Sequence, residues 1–158
     1  MARIPTTLYA DTSVFGGVFD EEFSDPSRTL FRQIREGRFQ LVLSPLIQDE
    51  LEVAPQDVRD LLDELAPHAE VAPISSESLQ LQRAYLEAGI VPERCADDAL
   101  HVAIATVVKC SLIVSWNFVH IVHFDKIPLY NAVNRKKGYP TIAIYSPREV
   151  IEYEDEDI

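Results

Sequence analysis

The chain has 158 residues, with 14 Lys and Arg against 26 Asp and Glu, and therefore a formal net charge of −12. This length predicts one domain, and 47% apolar with 25% charged residues is typical of a globular fold and not of a disordered chain or a coiled coil. Its longest apolar stretches, residues 100–108 and 112–116, are shorter than the roughly 18 residues of a membrane span, and the N-terminal residues lack the apolar segment of a secretory signal, so we expect a soluble cytoplasmic protein.

Negative charge is concentrated at the C-terminus, where five of the last seven residues are acidic. This predicts a frayed acidic tail over residues 152–158, following a single domain of residues 1–151. Residues 1–151 still carry a net charge of −7. The diffuse positive field typical of polynucleotide binders is therefore excluded, and any binding of RNA requires a local basic surface.

The first part of the chain predicts two strands, each followed by a polar residue. The β-prone run at residues 6–10 ends at Asp11, and the TSVFGG stretch after it predicts a loop because of its paired glycines. A helix is predicted from residue 24 to about residue 37. Residues 39–43 predict the second strand, and a Ser-Pro pair then caps a helix over residues 46–53 that carries Glu50.

The rest of the chain continues to alternate between helix and strand. In chain order the predictions are helix 58–65, strand 71–74, helices 76–88 and 96–109, strand 111–115, helix 126–136, strand 141–145 and helix 147–153. Short apolar strands between helices of about ten residues predict an α/β fold, a three-layer α/β/α sandwich with a mainly parallel central sheet. Ligands of such sheets bind beyond the carboxyl ends of the strands, which points to Asp11 and Asn117, each of which follows a strand.

Three carboxylates are candidates for a metal site at this edge: Asp11, Glu50, and Asp98 in the first turn of the Ala-rich helix. Each alone has a structural explanation, as a turn former, a solvated helix face and a charge near a helix N-terminus, respectively. Buried together they would repel one another unless a cation neutralised them. Mg²⁺ or Mn²⁺, which prefer oxygen ligands, fit such a group.

The two cysteines predict neither a disulfide nor a zinc site. A helix between Cys95 and Cys110 would hold them about 20 Å apart, whereas a disulfide needs about 6 Å. We expect two plain buried thiols, without the Cys or His partners that zinc requires.

For the histidines, structural roles are expected in preference to roles in a metal site. His101 lies one helical turn after Asp98, and a histidine satisfied within a packed helix face is expected in preference to one that orients the aspartate. His120 and His123 have the spacing of a metal-binding pair, but their position in a loop or short turn argues against zinc.

Five segments, taken in order and spacing, resemble the PIN domains, and the resemblance covers nearly the whole chain. They are LYADTSVFGG at 8–17, SPLIQDEL at 44–51, CADDALHVAIA at 95–105, LIVSWNFVHIV at 112–122 and YNAVNRKKGYPTIAIYSPREV at 130–150. PIN domains are metal-dependent ribonucleases, and those of this size include the VapC-like toxins of type II toxin-antitoxin pairs. The resemblance therefore implies an RNA substrate, an antitoxin protein as partner, a homodimer, and Mg²⁺ or Mn²⁺ as cofactor.

The resemblance also implies roles for individual residues. Asp11, Glu50 and Asp98 match the acidic metal ligands of the family, acting directly or through water. Asn117 falls where the family carries a fourth acidic or amide residue, and these four residues form the implied catalytic set. An amide at that position removes one negative charge, which weakens a second metal ion more than the first.

Substrate binding is predicted at a few further positions. Ser13 and Thr12 are placed to hold the first aspartate or a water by hydrogen bonds. Arg28, Arg32 and Arg35 recur on one side of the first long helix and can bind phosphates, although they equally fit a solvated face.

Two alternatives stay open at this stage. Phosphotransferases of the haloacid-dehalogenase type also use an Asp after the first strand, but they carry a second Asp two residues later, where this chain has Ser13. The other alternative is a catalytically weakened PIN-like module that binds RNA or an antitoxin. The amide at Asn117 and the acidic surface agree with that second possibility.

Overall fold

The computed structural model describes residues 5–153, so positions 154–158 of the predicted acidic tail lie outside the described residues. Five strands and eight α-helices are described. The strands are β1 Thr6–Ala10, β2 Phe39–Leu43, β3 Glu70–Val71, β4 Leu112–Val114 and β5 Ala143–Tyr145. The helices are α1 Thr12–Gly17, α2 Ser24–Arg35, α3 Pro45–Leu51, α4 Gln56–Leu65, α5 Ser76–Glu87, α6 Ala96–Val107, α7 Ile127–Lys136 and α8 Pro147–Val150. Short 3₁₀ turns at Ala66–His68 and Glu93–Cys95 precede β3 and α6.

The strands form one parallel sheet in the order β3-β2-β1-β4-β5. β1 is central, with Leu8 opposite Leu41 of β2 and Ala10 opposite Val114 of β4. The strand order reverses at β1, because the chain first moves outward through β2 and β3 and then returns to the other side of β1. The all-parallel sheet confirms the predicted α/β fold.

The helices cover the sheet in two groups. α1 contacts α2, α3 and α4, and α2 contacts α8, whereas α5 contacts α6 and α7. Since crossovers between parallel strands are right-handed, this strand order puts the helices that follow β1 and β2 on one face and those around β4 on the other, which gives the predicted three layers. Coverage on both faces explains why Leu8, Tyr9 and Ala10 of β1 are all fully buried.

Local sequence explains several helix starts. The Ser44 hydroxyl accepts a hydrogen bond from the Ile47 amide, and Pro45 occupies the first turn of α3, as predicted. Ser75 and Ser78 form a reciprocal capping box at the start of α5. Most other predicted boundaries differ from the structure by one to three residues.

The prediction of a loop over residues 12–17 is wrong, because these residues form α1. Only the second of the paired glycines is required by packing, and neither forms a turn. A Cβ on Gly17 would lie 2.7 Å from both the Ser27 hydroxyl oxygen and Trp116 Nε1, whereas Gly16 faces open space. Close approach of α2 and Trp116 to the α1 backbone therefore explains the second glycine.

The last described residues are bonded to the domain. The Glu152 amide donates to Gln33 Oε1, and the Glu152 carbonyl accepts from Gln33 Nε2. The Tyr153 hydroxyl donates to the Arg148 carbonyl. Hydrogen-bonded structure thus continues two residues beyond the predicted domain end at 151. None of the helices between residues 5 and 153 combines the length and apolar character needed to cross a membrane.

Candidate active site

The polar side chains converge where the strand order reverses. Asp11 follows β1, and its amide donates to the Val114 carbonyl of β4 at 3.2 Å. Ser115 and Asn117 follow β4 and therefore lie at the same edge of the sheet. This is the crevice in which parallel α/β sheets bind their ligands.

Asp11 is a buried carboxylate held by two serines. Asp11 is only 4% exposed. The Ser13 hydroxyl donates to Oδ1 at 2.6 Å, and the Ser115 hydroxyl donates to Oδ2 at 2.7 Å. Burial raises the pKa of Asp11 above its ordinary value, although His101 and the two serines act in the opposite direction.

Glu50 is oriented by Thr12 and His101. Its Oε1 accepts from the Thr12 hydroxyl at 2.7 Å and lies 2.5 Å from His101 Nε2. Burial alone would raise the pKa of Glu50, but the hydrogen bond and charge of His101, together with the Thr12 hydroxyl, lower it overall. Glu50 is consequently the carboxylate of this site that is most readily ionised.

His101 is held in turn by residues of the core. Its Nδ1 lies 2.7 Å from the Tyr9 hydroxyl, which lies 2.8 Å from the Ser44 hydroxyl. Whether the imidazole is neutral or protonated, Nε2 can donate to Glu50 while Nδ1 pairs with Tyr9. A chain of hydrogen bonds therefore runs from the capping serine of α3, through the sheet, to Glu50.

Asp98 occupies the first turn of α6 and is half-buried. Burial raises its pKa, against the opposing effects of His120, the Asn117 side chain and His101, and the negative charge of Glu50 raises it further. Asp11 is likewise repelled by Glu50. The fold has thus brought Asp11 and Asp98, which are far from Glu50 in sequence, each within electrostatic range of Glu50.

Among residues 5–153, the three carboxylates have no Lys or Arg side chain as an ion-pair partner. Within residues 5–153, the ion pairs formed by Arg side chains involve other acids, and His101 is the sole basic partner of Glu50. The carboxylate oxygens of Asp11, Glu50 and Asp98 do not all lie within 4.8 Å of one another, so they are farther apart than the ligands of a tight metal cluster. Over the same residues, only Cys95, Asp98 and His120 place three ligand atoms within 4.8 Å of one another.

Asn117 uses its oxygen for the local turn. The amides of Val119 and His120 donate to Asn117 Oδ1 at 3.2 and 2.9 Å, and the Asn117 side chain acts to lower the pKa of Asp98. An amide nitrogen with its protons is not a metal ligand. Both hydrogen bonds occupy the oxygen that would serve as a ligand, and the direct ligand role that the resemblance implies for Asn117 stays a prediction.

The three arginines of α2 lie at different distances from the site. Phe23, immediately before α2, stacks on Trp116 with ring centroids 4.2 Å apart, so the helix starts at the carboxyl edge of the sheet. Arg28 is exposed near that start, and its Nε donates to the Val18 carbonyl. The other two are paired with acids on the surface.

Arg32 pairs with Glu36 at 3.4 Å, and Arg35 pairs with Glu64 at 2.6 Å. Arg35 lines a cavity together with Phe39, at the start of β2. This is the amino edge of the sheet, opposite the carboxylates. Arg35 therefore does not lie with the other predicted substrate-binding residues.

The sequence did not indicate the partners that Thr12 and His101 have in the structure. Thr12 was expected to hold Asp11 or a water, and the partner of its hydroxyl in the structure is Glu50, which the sequence did not indicate. His101 is satisfied within a packed face as expected, yet its partners are Glu50 and Tyr9 and not Asp98. The helical spacing of His101 from Asp98 carried no signal for either partner.

A further contact that the sequence did not indicate joins Cys95 to His120. Both cysteines are free thiols, and Cys110 is buried as expected. Cys95, however, is half-buried and its Sγ lies 3.3 Å from His120 Nε2. The expectation that neither cysteine has a histidine partner is wrong for Cys95, because the turn after β4 brings His120 to the start of α6.

Two solved structures resemble this chain over most of its length. The crystal structure of VapBC2 from Rickettsia felis bound to a DNA fragment from their promoter matches with a TM-score of 0.57 and 12% identity, covering 89% of this chain and 98% of the matched chain. FitAcB from Neisseria gonorrhoeae matches with a TM-score of 0.55 and 12% identity, covering 90% and 99%. No family model and no curated protein matches the sequence. At this identity the similarity establishes a shared fold.

Proposed function

We propose that this chain, whose PIN-like fold is that of two toxin-antitoxin structures, is a ribonuclease that requires Mg²⁺ or Mn²⁺. Its reaction would be hydrolysis of RNA phosphodiester bonds, and its biological role would be that of the toxin in a toxin-antitoxin pair. An antitoxin protein and a second copy of the chain are its proposed partners.

One observation carries the proposal: Asp11 is buried at the switch point of a parallel sheet, in the repulsive field of Glu50 and without a Lys or Arg partner among residues 5–153. A buried carboxylate without compensating positive charge is unfavourable. Selection for a cation site explains its presence, whereas a turn-forming role does not require burial in the field of another acid.

The residues fit a hard and largely hydrated ion. Carboxylate and hydroxyl oxygens are the ligands that Mg²⁺ and Mn²⁺ prefer. Mg²⁺ usually binds through only one or two carboxylates and keeps several waters. A looser arrangement of Asp11, Glu50 and Asp98 than that of a tight cluster agrees with such binding, in which some carboxylates act through water.

When bound, the divalent ion supplies Lewis acidity, lowering the pKa of water and neutralising charge on phosphate oxygens. The chain's own contribution is to fix the carboxylates in place. Ser13 and Ser115 orient the two oxygens of Asp11, and Thr12 and His101 fix one oxygen of Glu50. Preorganised acids of this kind need little rearrangement when substrate and ion arrive.

Arg28 is the arginine best placed to bind the RNA backbone. It is exposed at the end of α2 that lies at the carboxyl edge, and an arginine can bind phosphate through two hydrogen bonds. Arg32 would contact phosphates farther from the site. Arg35, at the other edge, is not part of the proposed surface.

The proposal is tested by cleavage of RNA in the presence of Mn²⁺, with the variants Asp11→Asn and Asp98→Asn. Each should reduce the rate by about 100-fold or more, because each removes a charged ligand needed in the transition state. Asp97→Asn is the matched control, since Asp97 is exposed next to Asp98. Cleavage that persists in both site variants would contradict the proposal.

Thermal denaturation of the same protein with and without Mn²⁺ distinguishes a ribonuclease from a catalytically weakened binding module. A ribonuclease site should be stabilised by Mn²⁺ through mass action, by about 2.7 kcal/mol at 100 times the dissociation constant. For a chain of this size, that corresponds to a rise in Tm of about 5–11 °C. RNA binding without cleavage and without a Mn²⁺-dependent rise in Tm would favour the weakened module.

The toxin role is tested separately. Co-expression with the neighbouring reading frame should yield a stable complex and suppress the toxicity of this chain. Toxicity that needs an intact Asp11 would connect the role to the proposed site. Growth unaffected by expression of the active nuclease would contradict the toxin assignment.

A further inference from the structure

Cys95, Asp98 and His120 form a second group of possible metal ligands. Cys95 ends the 3₁₀ turn before α6, Asp98 lies in the first turn of α6, and His120 follows β4. One ligand atom from each lies within 4.8 Å of the other two, and all three residues are partly buried. The group therefore stands at the boundary between solvent and the start of α6.

The ligand types differ from those of the carboxylate site. A thiolate, an imidazole and a carboxylate together favour a borderline-soft ion such as Zn²⁺ over Mg²⁺. Tetrahedral zinc with ordinary bond lengths separates its sulfur and nitrogen ligands by about 3.6 Å. The observed separation of Cys95 Sγ and His120 Nε2 is 3.3 Å, so only a small adjustment is needed.

His120 is already held in the required place. Its amide donates to Asn117 Oδ1 at 2.9 Å, and its carbonyl accepts from the Tyr130 hydroxyl at 2.8 Å. Within residues 5–153, its buried Nδ1 has no hydrogen-bond partner, so the thiol of Cys95 is the partner of the ring. A thiol is a weak hydrogen-bonding group but a strong metal ligand once deprotonated.

We propose that Cys95, Asp98 and His120 bind Zn²⁺, and that zinc bound there withdraws Asp98 from the proposed magnesium site. The three side chains leave the fourth tetrahedral position for water, and binding releases the thiol proton to solvent. Since one carboxylate serves both sites, occupation of either weakens the other. Zinc would thereby act as an inhibitor; this second half of the inference rests on the proposed ribonuclease function, whereas zinc binding itself does not.

Binding is tested with the untagged, reduced chain and Co²⁺ as a spectroscopic substitute for zinc. The wild-type chain should bind one Co²⁺ with the absorption of thiolate-to-cobalt charge transfer, and Zn²⁺ should displace it. Cys95→Ser should abolish that absorption, and both Cys95→Ser and His120→Gln should weaken zinc binding by about 100-fold or more.

The chain offers matched controls for each ligand. Cys110→Ala removes the other thiol, His123→Gln removes a histidine outside the group, and Asp97→Asn removes the carboxylate next to Asp98. All three should retain the cobalt spectrum. Absence of the charge-transfer absorption in the wild type, or its persistence in Cys95→Ser, would overturn the zinc site.

Inhibition is tested by titrating Zn²⁺ into the Mn²⁺-dependent cleavage reaction. Wild type should be inhibited at zinc concentrations that fill the cobalt-competent site, and Cys95→Ser should require about 100-fold more zinc. Equal inhibition of both proteins would overturn the shared-ligand inhibition while leaving zinc binding established. If the wild type cleaves no RNA, the proposed function fails, and the cobalt spectra still decide the zinc site.

Discussion

The hydroxyl of Tyr9 and Nδ1 of His101 are 2.7 Å apart, although 92 positions separate the two residues in the chain. Tyr9 is completely buried in the central strand, and His101 is 2% exposed. Because the other ring nitrogen of His101 contacts Glu50, the orientation of a carboxylate at the sheet edge is set by a phenol within the core. The stability of the core and the geometry of the candidate site are coupled through this pair.

Replacing Tyr9 with phenylalanine tests that coupling. Tyr9→Phe should lower the free energy of unfolding by about 1–3 kcal/mol, because it leaves His101 Nδ1 and the Ser44 hydroxyl without their buried partner. Tyr145→Phe, at a residue that is 42% exposed, should change it by no more than about 0.5 kcal/mol. Urea denaturation measures both, and equal effects would show that the buried hydroxyl contributes nothing.

The site carboxylates should have opposite effects on the pH dependence of stability. Burial raises the pKa of Asp11 above its ordinary value of 3.8, so its stabilising contribution is complete below pH 3.8 and is lost as the pH rises through the pKa in the folded state. Despite burial, His101 and Thr12 lower the pKa of Glu50 below 4.5. Its contribution is therefore present above pH 4.5 and is lost as the pH falls through the folded-state pKa.

These signs are measured by denaturant unfolding between pH 3.5 and 7 in the presence of a chelator. The stability of wild type minus that of Asp11→Asn should decrease with rising pH, since asparagine does not ionise. The corresponding difference for Glu50→Gln should increase. The same sign of slope for both variants would contradict the electrostatic description of the site.

The two glycines of α1 provide a matched pair for a packing test. Gly17→Ala should destabilise the protein by about 1–3 kcal/mol, because its methyl group would collide with Ser27 and Trp116. Gly16→Ala should be neutral or stabilise by up to about 1 kcal/mol, since it gains helix propensity in open space. Thermal denaturation compares the two, and a loss of equal size in both would contradict the close-approach explanation.

The position of the proposed basic surface is tested by RNA binding of the Asp98→Asn variant, which is expected to be inactive. Arg28→Ala should weaken binding and reduce the slope of log affinity against log salt by about one unit, because one phosphate contact is lost. Arg35→Ala should leave the slope unchanged, since Arg35 lies at the amino edge. Similar losses in the two variants would place the RNA elsewhere on α2.

The sequence was informative where one local signal determined the structure. The strands at residues 6–10 and 39–43 and the cap at Ser44 were predicted correctly, because alternation of apolar runs with turn and cap residues reflects short-range physics. α1 was missed for a non-local reason. Its second glycine, Gly17, fits the approach of Trp116, which lies about a hundred positions away and leaves no signal in the local sequence pattern.

The candidate site shows the same division. Asp11 was singled out because it follows a strand, and Asp98 because it lies in the first turn of a strongly predicted helix. The partners that orient the site, His101 for Glu50 and Ser115 for Asp11, come from segments that meet only in the folded sheet. The contact of Cys95 with His120 likewise depends on the turn after β4, which periodicity does not predict.

Asp11 receives its second hydrogen bond from a serine 104 positions later, across the pairing of β1 with β4. During translation, Asp11 leaves the ribosome long before Ser115 has been synthesised. The buried carboxylate therefore lacks this partner until β4 and Ser115 have been made, so its hydrogen bonds are complete only after the sheet has gained its fourth strand in chain order.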